Sequence, residues 1–145
     1  MSQTTFGSRL YLDANVYIYA LEDHSQFGEA ARQVLEAIDR DGITVVAQHL
    51  ILAELLPHPV KQGATDLVQL YEDLFLHHPQ LVLLNTEPTT INLTTKLRAT
   101  YGFSTLDALH LASAIATECD AFITNDQELK SVQEIPVLLL QEIGT

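Results

Sequence analysis

Short apolar runs alternate along this chain with longer stretches of helical periodicity. Leu10-Tyr11-Leu12 is the first run and stops abruptly at Asp13. Phe27, Ala30, Ala31, Val34, Leu35 and Ile38 then recur at the spacing that lines one face of a helix. Gly42 is placed to end that helix. Ile43-Thr44-Val45-Val46 is short and β-branched, which predicts a buried strand. His49 to Leu56 predicts a helix closed by Pro57 and Pro59. Leu67, Leu70, Tyr71, Leu74 and Phe75 share a face of a further helix, and Leu81 to Leu84 is strand-like. Pro88 suits the first turn of a helix that runs to about Tyr101 and ends at Gly102. Ser104 and Thr105 open a helix from Leu106 to about Glu118. Ala121 to Ile123 is a fourth strand, a short helix follows Asp126, and Val137 to Leu140 is the last strand.

Apolar strands separated by helices predict a sheet buried on both faces. The expected fold is α/β, a three-layer α/β/α sandwich around a central, mostly parallel sheet of about five strands. Residues 9–145 form one domain in this reading, and residues 1–8 a loose polar arm. Right-handed crossovers bring every strand's carboxyl end to one edge of the sheet. Ligands bind along that edge in open α/β folds.

Composition narrows the function. Of 145 residues, 47% are hydrophobic and 18% charged, the balance of a globular chain and not of a disordered one. No apolar run approaches the roughly 18 residues that span a bilayer, and no charged-then-apolar leader opens the chain. A cytoplasmic protein is expected. Cys119 stands alone and neither CxxC nor HExxH occurs, which excludes a thiolate–zinc site. Glycines at 7, 28, 42, 63, 102 and 144 are too scattered for a phosphate-cradling loop. Nineteen acidic residues against seven Lys and Arg give a net charge of −12, which opposes binding to a polyanion unless a bound metal offsets it.

Four acids carry the candidate chemistry. Asp13 follows the first strand, and Asp107 lies in the first turn of its helix. The fourth strand brings the chain back to deliver Asp126 beside Asp107. Glu54 sits in the helix after the second strand, among Leu50-Ile51-Leu52-Ala53 and Leu55-Leu56, where a carboxylate needs a partner. Each aspartate also has a structural reading, since all three fall near helix starts, where carboxylates cap free N–H groups. Taken together, clustered carboxylates either take up protons or hold cations. An all-oxygen donor set favours Mg2+ or Mn2+.

Leu10-Tyr11-Leu12-Asp13-Ala14-Asn15-Val16, Ala53-Glu54, Ser104-Thr105-Leu106-Asp107-Ala108-Leu109-His110-Leu111-Ala112 and Ile123-Thr124-Asn125-Asp126 occur in this order. They resemble the motifs of PIN-domain ribonucleases, over roughly Arg9 to Leu140, and the third and fourth are the most specific. A PIN domain with nothing appended is similar to the VapC-type toxins of bacterial toxin–antitoxin pairs. The resemblance implies an Mg2+- or Mn2+-dependent endoribonuclease that leaves 5′-phosphate and 3′-hydroxyl ends. It also implies a homodimer held inactive by a cognate antitoxin protein. Asp13, Glu54, Asp107 and Asp126 would then be the metal-binding catalytic carboxylates, with Asn15 and Thr124 as supporting polar residues.

Other residues divide between two readings. Lys61, Lys96, Arg98 and Lys130 are candidate RNA contacts or solvated surface cations, and Lys130 is also spaced to pair with Asp126. His110 is a conceivable general base, but a packed histidine with local hydrogen bonds suits its apolar helix better. His77 and His78 suit a helix end. Tyr11, Tyr17 and Tyr19 favour core or dimer packing over base stacking, and Cys119 an inert helix-end thiol. Two rival functions remain. A haloacid-dehalogenase-like phosphatase also places an aspartate after its first strand, but Asn15 stands where its second would be. A non-catalytic PIN-like module acting through a protein partner would suit the acidic balance.

Overall fold

Five strands form one parallel sheet in the order β3-β2-β1-β4-β5. They are β1 (Arg9–Leu12), β2 (Thr44–Gln48), β3 (Leu81–Leu84), β4 (Ala121–Thr124) and β5 (Val137–Leu139). The computed structural model describes residues 6–23 and 25–143. All five strands lie where the apolar runs predict them. The register sets Tyr11 opposite Val46 on one side and Phe122 on the other.

Period-two alternation sorts the strand residues into two cores. Leu10, Leu12, Val45, Ala47 and Ile123 face one layer, built from α1 (Ala14–Glu22), α2 (Gln26–Asp41), α3 (Ile51–Leu55) and α5 (Thr65–His77). Tyr11, Val46, Phe122 and Val137 face the other, built from α6 (Pro88–Tyr101) and α7 (Thr105–Ala116). Tyr11 stacks on Phe122 with ring centroids 5.4 Å apart. Each such buried side chain contributes roughly 1.5–3 kcal/mol relative to exposure. The three-layer sandwich is therefore what the sequence pattern predicts. The chain fills one half of the sheet through β2 and β3, then crosses back to β4 and β5. The switch point lies between β1 and β4, where open α/β sheets place their ligands.

Helix ends follow local chemistry. Gly42 and Gly102 close α2 and α6 in the left-handed region, at φ 65° and 76°. Gly28 serves a different need. A Cβ there would lie 2.0 Å from the Asp23 carbonyl oxygen, so only glycine lets α2 pass the end of α1 this closely.

Several expectations need correction. The helix expected over His49 to Leu56 is shorter, and Pro57 opens a new helix, α4 (Pro57–Lys61), instead of closing the old one. The first helical position tolerates a missing N–H, so proline marks a start as readily as a stop. Leu70, placed on the apolar face of α5, is exposed, while Tyr71 and Phe75 carry the burial. The turn after Asp126 is 3-10, over Gln127–Ser131. Residues 1–5 of the expected loose arm lie outside the described residues. Phe6 is nonetheless buried in the core, and Ser8 donates its backbone N–H to the Asp120 carboxylate at 2.7 Å.

Candidate functional site

Parallel strands put the carboxyl ends of β1, β2 and β4 along one edge; Asp13 and Asp126 follow β1 and β4, Glu54 lies in α3 after β2, and Asp107 lies in the first turn of α7. Asp13 is the residue after β1. Its backbone N–H donates to the Ile123 carbonyl at 2.9 Å, which zips β1 to β4 up to the site. Its side chain is buried and accepts three hydrogen bonds. Ala14 N–H reaches Oδ1 at 2.9 Å, while Thr124 Oγ1 and Asn15 Nδ2 reach Oδ2 at 2.8 and 3.4 Å. Thr124 Oγ1 in turn accepts the Asp126 backbone N–H at 3.0 Å, and Asn15 Oδ1 accepts that of Asn125 at 3.1 Å. Asp126 caps the following 3-10 turn by accepting from Glu128 N–H at 3.0 Å. Asp13 and Asp126 are thus helix caps as well as edge residues. The structural reading of each acid and its place at the common edge coexist.

Asp107 is not a cap. Ser104 fills that position, accepting the Asp107 backbone N–H at 3.2 Å, and its side chain also hydrogen-bonds the Asp107 carboxyl group. Glu54 has the partner its apolar surroundings demand. His110 Nε2 contacts its Oε1, joining α3 to α7. His110 is fully buried, as a packed histidine should be, but its partners are distant in sequence and not local. Its Nδ1 meets the Tyr11 hydroxyl, which also accepts the Gln48 backbone N–H at 2.9 Å.

The electrostatics show that the acids feel one another. Burial pushes the Asp107 carboxyl above its ordinary range, and the charges of Asp126 and Glu54 push it further. Burial likewise raises Asp13, against the pull of the Thr124 hydrogen bond and the Ala14 N–H, with Asp107 adding to the rise. Among the described residues none of the four pairs with a Lys or Arg; the ion pairs present are Arg40–Asp41 and Lys130–Glu142, and the imidazole–carboxylate contacts are His78–Asp39 and His110–Glu54. Nor is any group of three or more His, Cys, Asp or Glu among them drawn close enough to hold a metal ion as it stands. In chemical kind the donors fit a hard cation: carboxylate oxygens that repel one another and have no fixed counter-charge. Closing them around an ion requires side-chain rotation.

The candidate basic residues do not converge in the same way. Lys61 ends α4 and Lys96 lies in α6, both exposed. Arg98 donates to the Phe103 carbonyl at 3.3 Å, and Lys130 to Val137 and Glu142, so the expected Lys130–Asp126 pair does not form. Tyr11 and Tyr17 are core residues, and Tyr19 packs on Phe27 while accepting from Asn125 Nδ2 at 3.1 Å. Cys119 is buried, which raises its thiol. The sequence reading missed the roles of Tyr11, Gln48 and Asn125. One signal was present for the Glu54–His110 contact: Glu54 is the lone polar residue of the apolar α3 and therefore needs a partner.

Comparison with known proteins places this geometry. A family model described as the PIN domain matches residues 10–135. No curated protein matches the sequence significantly. Among solved structures, VapBC2 from Rickettsia felis, bound to a DNA fragment from its promoter, superposes with TM-score 0.71 at 20% identity, covering 90% of this chain and 98% of that one. DNA-bound VapBC from Salmonella typhimurium gives 0.70 at 16% identity, with 91% and 98% covered. VapC20 from Mycobacterium tuberculosis, described as a toxin cleaving the sarcin–ricin loop, gives 0.67 at 8%, with 88% and 98% covered. At these identities the likeness is one of fold.

Proposed function

The chain belongs to the PIN domain family, which generally uses a divalent metal, and from that premise we propose that it is a metal-dependent endoribonuclease and the toxin of a toxin–antitoxin pair. The observation that carries the proposal is the set of four acids at the switch-point edge. They have no Lys or Arg partner among the described residues, and Asp107 is raised by burial, with the charges of Asp126 and Glu54 adding to the rise.

Asp13, Glu54, Asp107 and Asp126 are the residues that would hold Mg2+ or Mn2+. Such an ion polarises a phosphodiester, eases deprotonation of water and offsets charge on the departing oxygen. The chain's own contribution is placement. Thr124 and Asn15 fix Oδ2 of Asp13, while Ser104 caps α7 at the turn that carries Asp107. Water adds to phosphorus and the P–O3′ bond breaks, giving 5′-phosphate and 3′-hydroxyl ends. Lys61 and Lys96, exposed and outside any ion pair among the described residues, are the cations available to RNA phosphates; Arg98 and Lys130 are already engaged.

The partner suited to a chain of net charge −12 is a basic antitoxin. The assembly is proposed as a homodimer in the cytoplasm; among the described residues no helix is long and apolar enough to cross a membrane. The phosphatase alternative is set aside, because Asn15 is used to hold the β1–β4 junction and the matched family is a different one.

The test is cleavage of RNA by the purified protein with Mn2+, with EDTA, and by Asp107→Asn. Cleavage that EDTA stops and the variant lacks by at least about 100-fold supports the reading, since even outer-shell partners of a metal are worth 10–100-fold. A folded wild type that binds a protein partner and cuts no RNA would establish the non-catalytic module instead.

A further inference from the structure

Three buried polar groups, Tyr11, His110 and the backbone of Gln48, form a chain that ends on Glu54. We propose that Tyr11 and His110 are positioning residues for Glu54: an imidazole locked in one tautomer donates its Nε2 proton to Oε1 and leaves Oε2 as the oxygen offered to the site. This rests on the reading of Glu54 as a metal-binding carboxylate.

The Gln48 backbone N–H can only donate, and it donates to the Tyr11 oxygen at 2.9 Å. The phenol proton must then point to the remaining neighbour, Nδ1 of His110. A nitrogen that accepts carries no proton, so the neutral ring holds its single proton on Nε2, the atom that faces Glu54. An imidazolium would put a proton on Nδ1 as well. The Tyr11 oxygen would then accept twice, and among the described residues its own proton has no other acceptor, in a place where both rings are fully buried. Packing holds the rings still: Tyr11 stacks on Phe122, and its centroid lies 5.5 Å from that of His110.

Glu54 gains what a short helix cannot give it. Its five-residue helix is followed directly by another that opens at Pro57, and its side chain is 25% exposed. Without His110 that side chain would sample several rotamers. With it, Oε1 is tied to the helix that carries Asp107 one turn earlier, so the spacing between Glu54 and Asp107 is set through α7. Oε2 accepts no hydrogen bond from any described residue.

The decisive experiment joins two readouts on the full chain. Long-range 1H–15N correlation of the labelled protein reports the His110 tautomer, and titration with Mn2+ reports affinity without reference to cleavage. The wild type should show a protonated Nε2 and a bare Nδ1. His110→Leu should bind Mn2+ about 10–100-fold more weakly, and His110→Gln, which keeps a donor toward Glu54, should recover most of that loss. Tyr11→Phe removes one oxygen and decides the matter if His110→Leu fails to fold; it should lose the single tautomer and bind about tenfold more weakly. A proton on Nδ1 in the wild type overturns the proposal, as does wild-type Mn2+ affinity in a folded Tyr11→Phe or His110→Leu protein. A wild type with no Mn2+ affinity overturns the metal reading of the site instead, and the tautomer alone then upholds or sinks the relay.

Discussion

The two ends of the β1–β4 pair use aspartates in opposite ways. At the amino end, Asp120 is exposed and its Oδ2 accepts the backbone N–H groups of Ser8 and Arg9 at 2.7 and 2.9 Å. Those bonds hold its carboxyl below the ordinary range. At the carboxyl end, Asp13 accepts three hydrogen bonds and is still raised, because burial outweighs them. Asp107 is raised by burial and by its acidic neighbours. One end stabilises the native state with its charge; the other carries charge at a cost. A carboxylate that costs stability and is kept anyway is the usual mark of a functional site.

The comparison can be broken by mutation. Thr124→Val removes the hydroxyl that donates to Asp13 and accepts from Asp126, and should destabilise the protein by about 2 kcal/mol at pH 7, as loss of a hydrogen bond to a charged group does. Denaturant unfolding measures this, and an unchanged midpoint would mean that Thr124 supports nothing. Asp107→Asn should act in the other direction and raise the melting temperature of the metal-free protein by roughly 2–4 °C, about 1 kcal/mol for a chain of this size. The sign follows from linkage. A carboxyl raised in the folded state contributes its stability in full below the unfolded pKa and loses it as pH rises through the folded one. The gain from Asp107→Asn should therefore be near zero well below the unfolded pKa of about 3.9 and grow as pH rises through the folded one. Asp120→Asn should show the reverse and the smallest effect: a lower melting temperature at pH 7, with the difference vanishing as pH falls through the depressed pKa of the folded state. Parallel pH profiles for the two variants would erase the distinction between the two ends.

Much of this arrangement was legible in the sequence because it depends on local signals. Each strand announces itself as an apolar run, and Gly42 and Gly102 mark helix ends by their freedom at positive φ. Asp13 and Asp126 could be placed at the edge because each directly follows a strand. What escaped was decided by long-range packing. Pro57 reads equally as a stop or a start, and only the tertiary path chooses. Leu70 fits the helical period yet faces solvent, since α5 buries a narrower stripe than the pattern implies. Lys130 chose Glu142 over Asp126 through the fold of the last strand. His110 and Glu54 are 56 positions apart, and no periodicity links them. The need of Glu54 for a partner was readable; the identity of that partner was not. The matched PIN domain model and the likeness to VapC-containing structures show the family and the fold, while the roles of the acids rest on their chemistry.

If a divalent cation draws these mutually repelling acids together, thermal unfolding of wild type and Asp107→Asn with and without Mn2+ will show it. The account predicts that Mn2+ at about 100 times its dissociation constant stabilises the wild type by roughly 2.7 kcal/mol and leaves the variant almost unmoved, even though the variant is the more stable of the two without metal. Equal stabilisation of both proteins, or none of either, would contradict it.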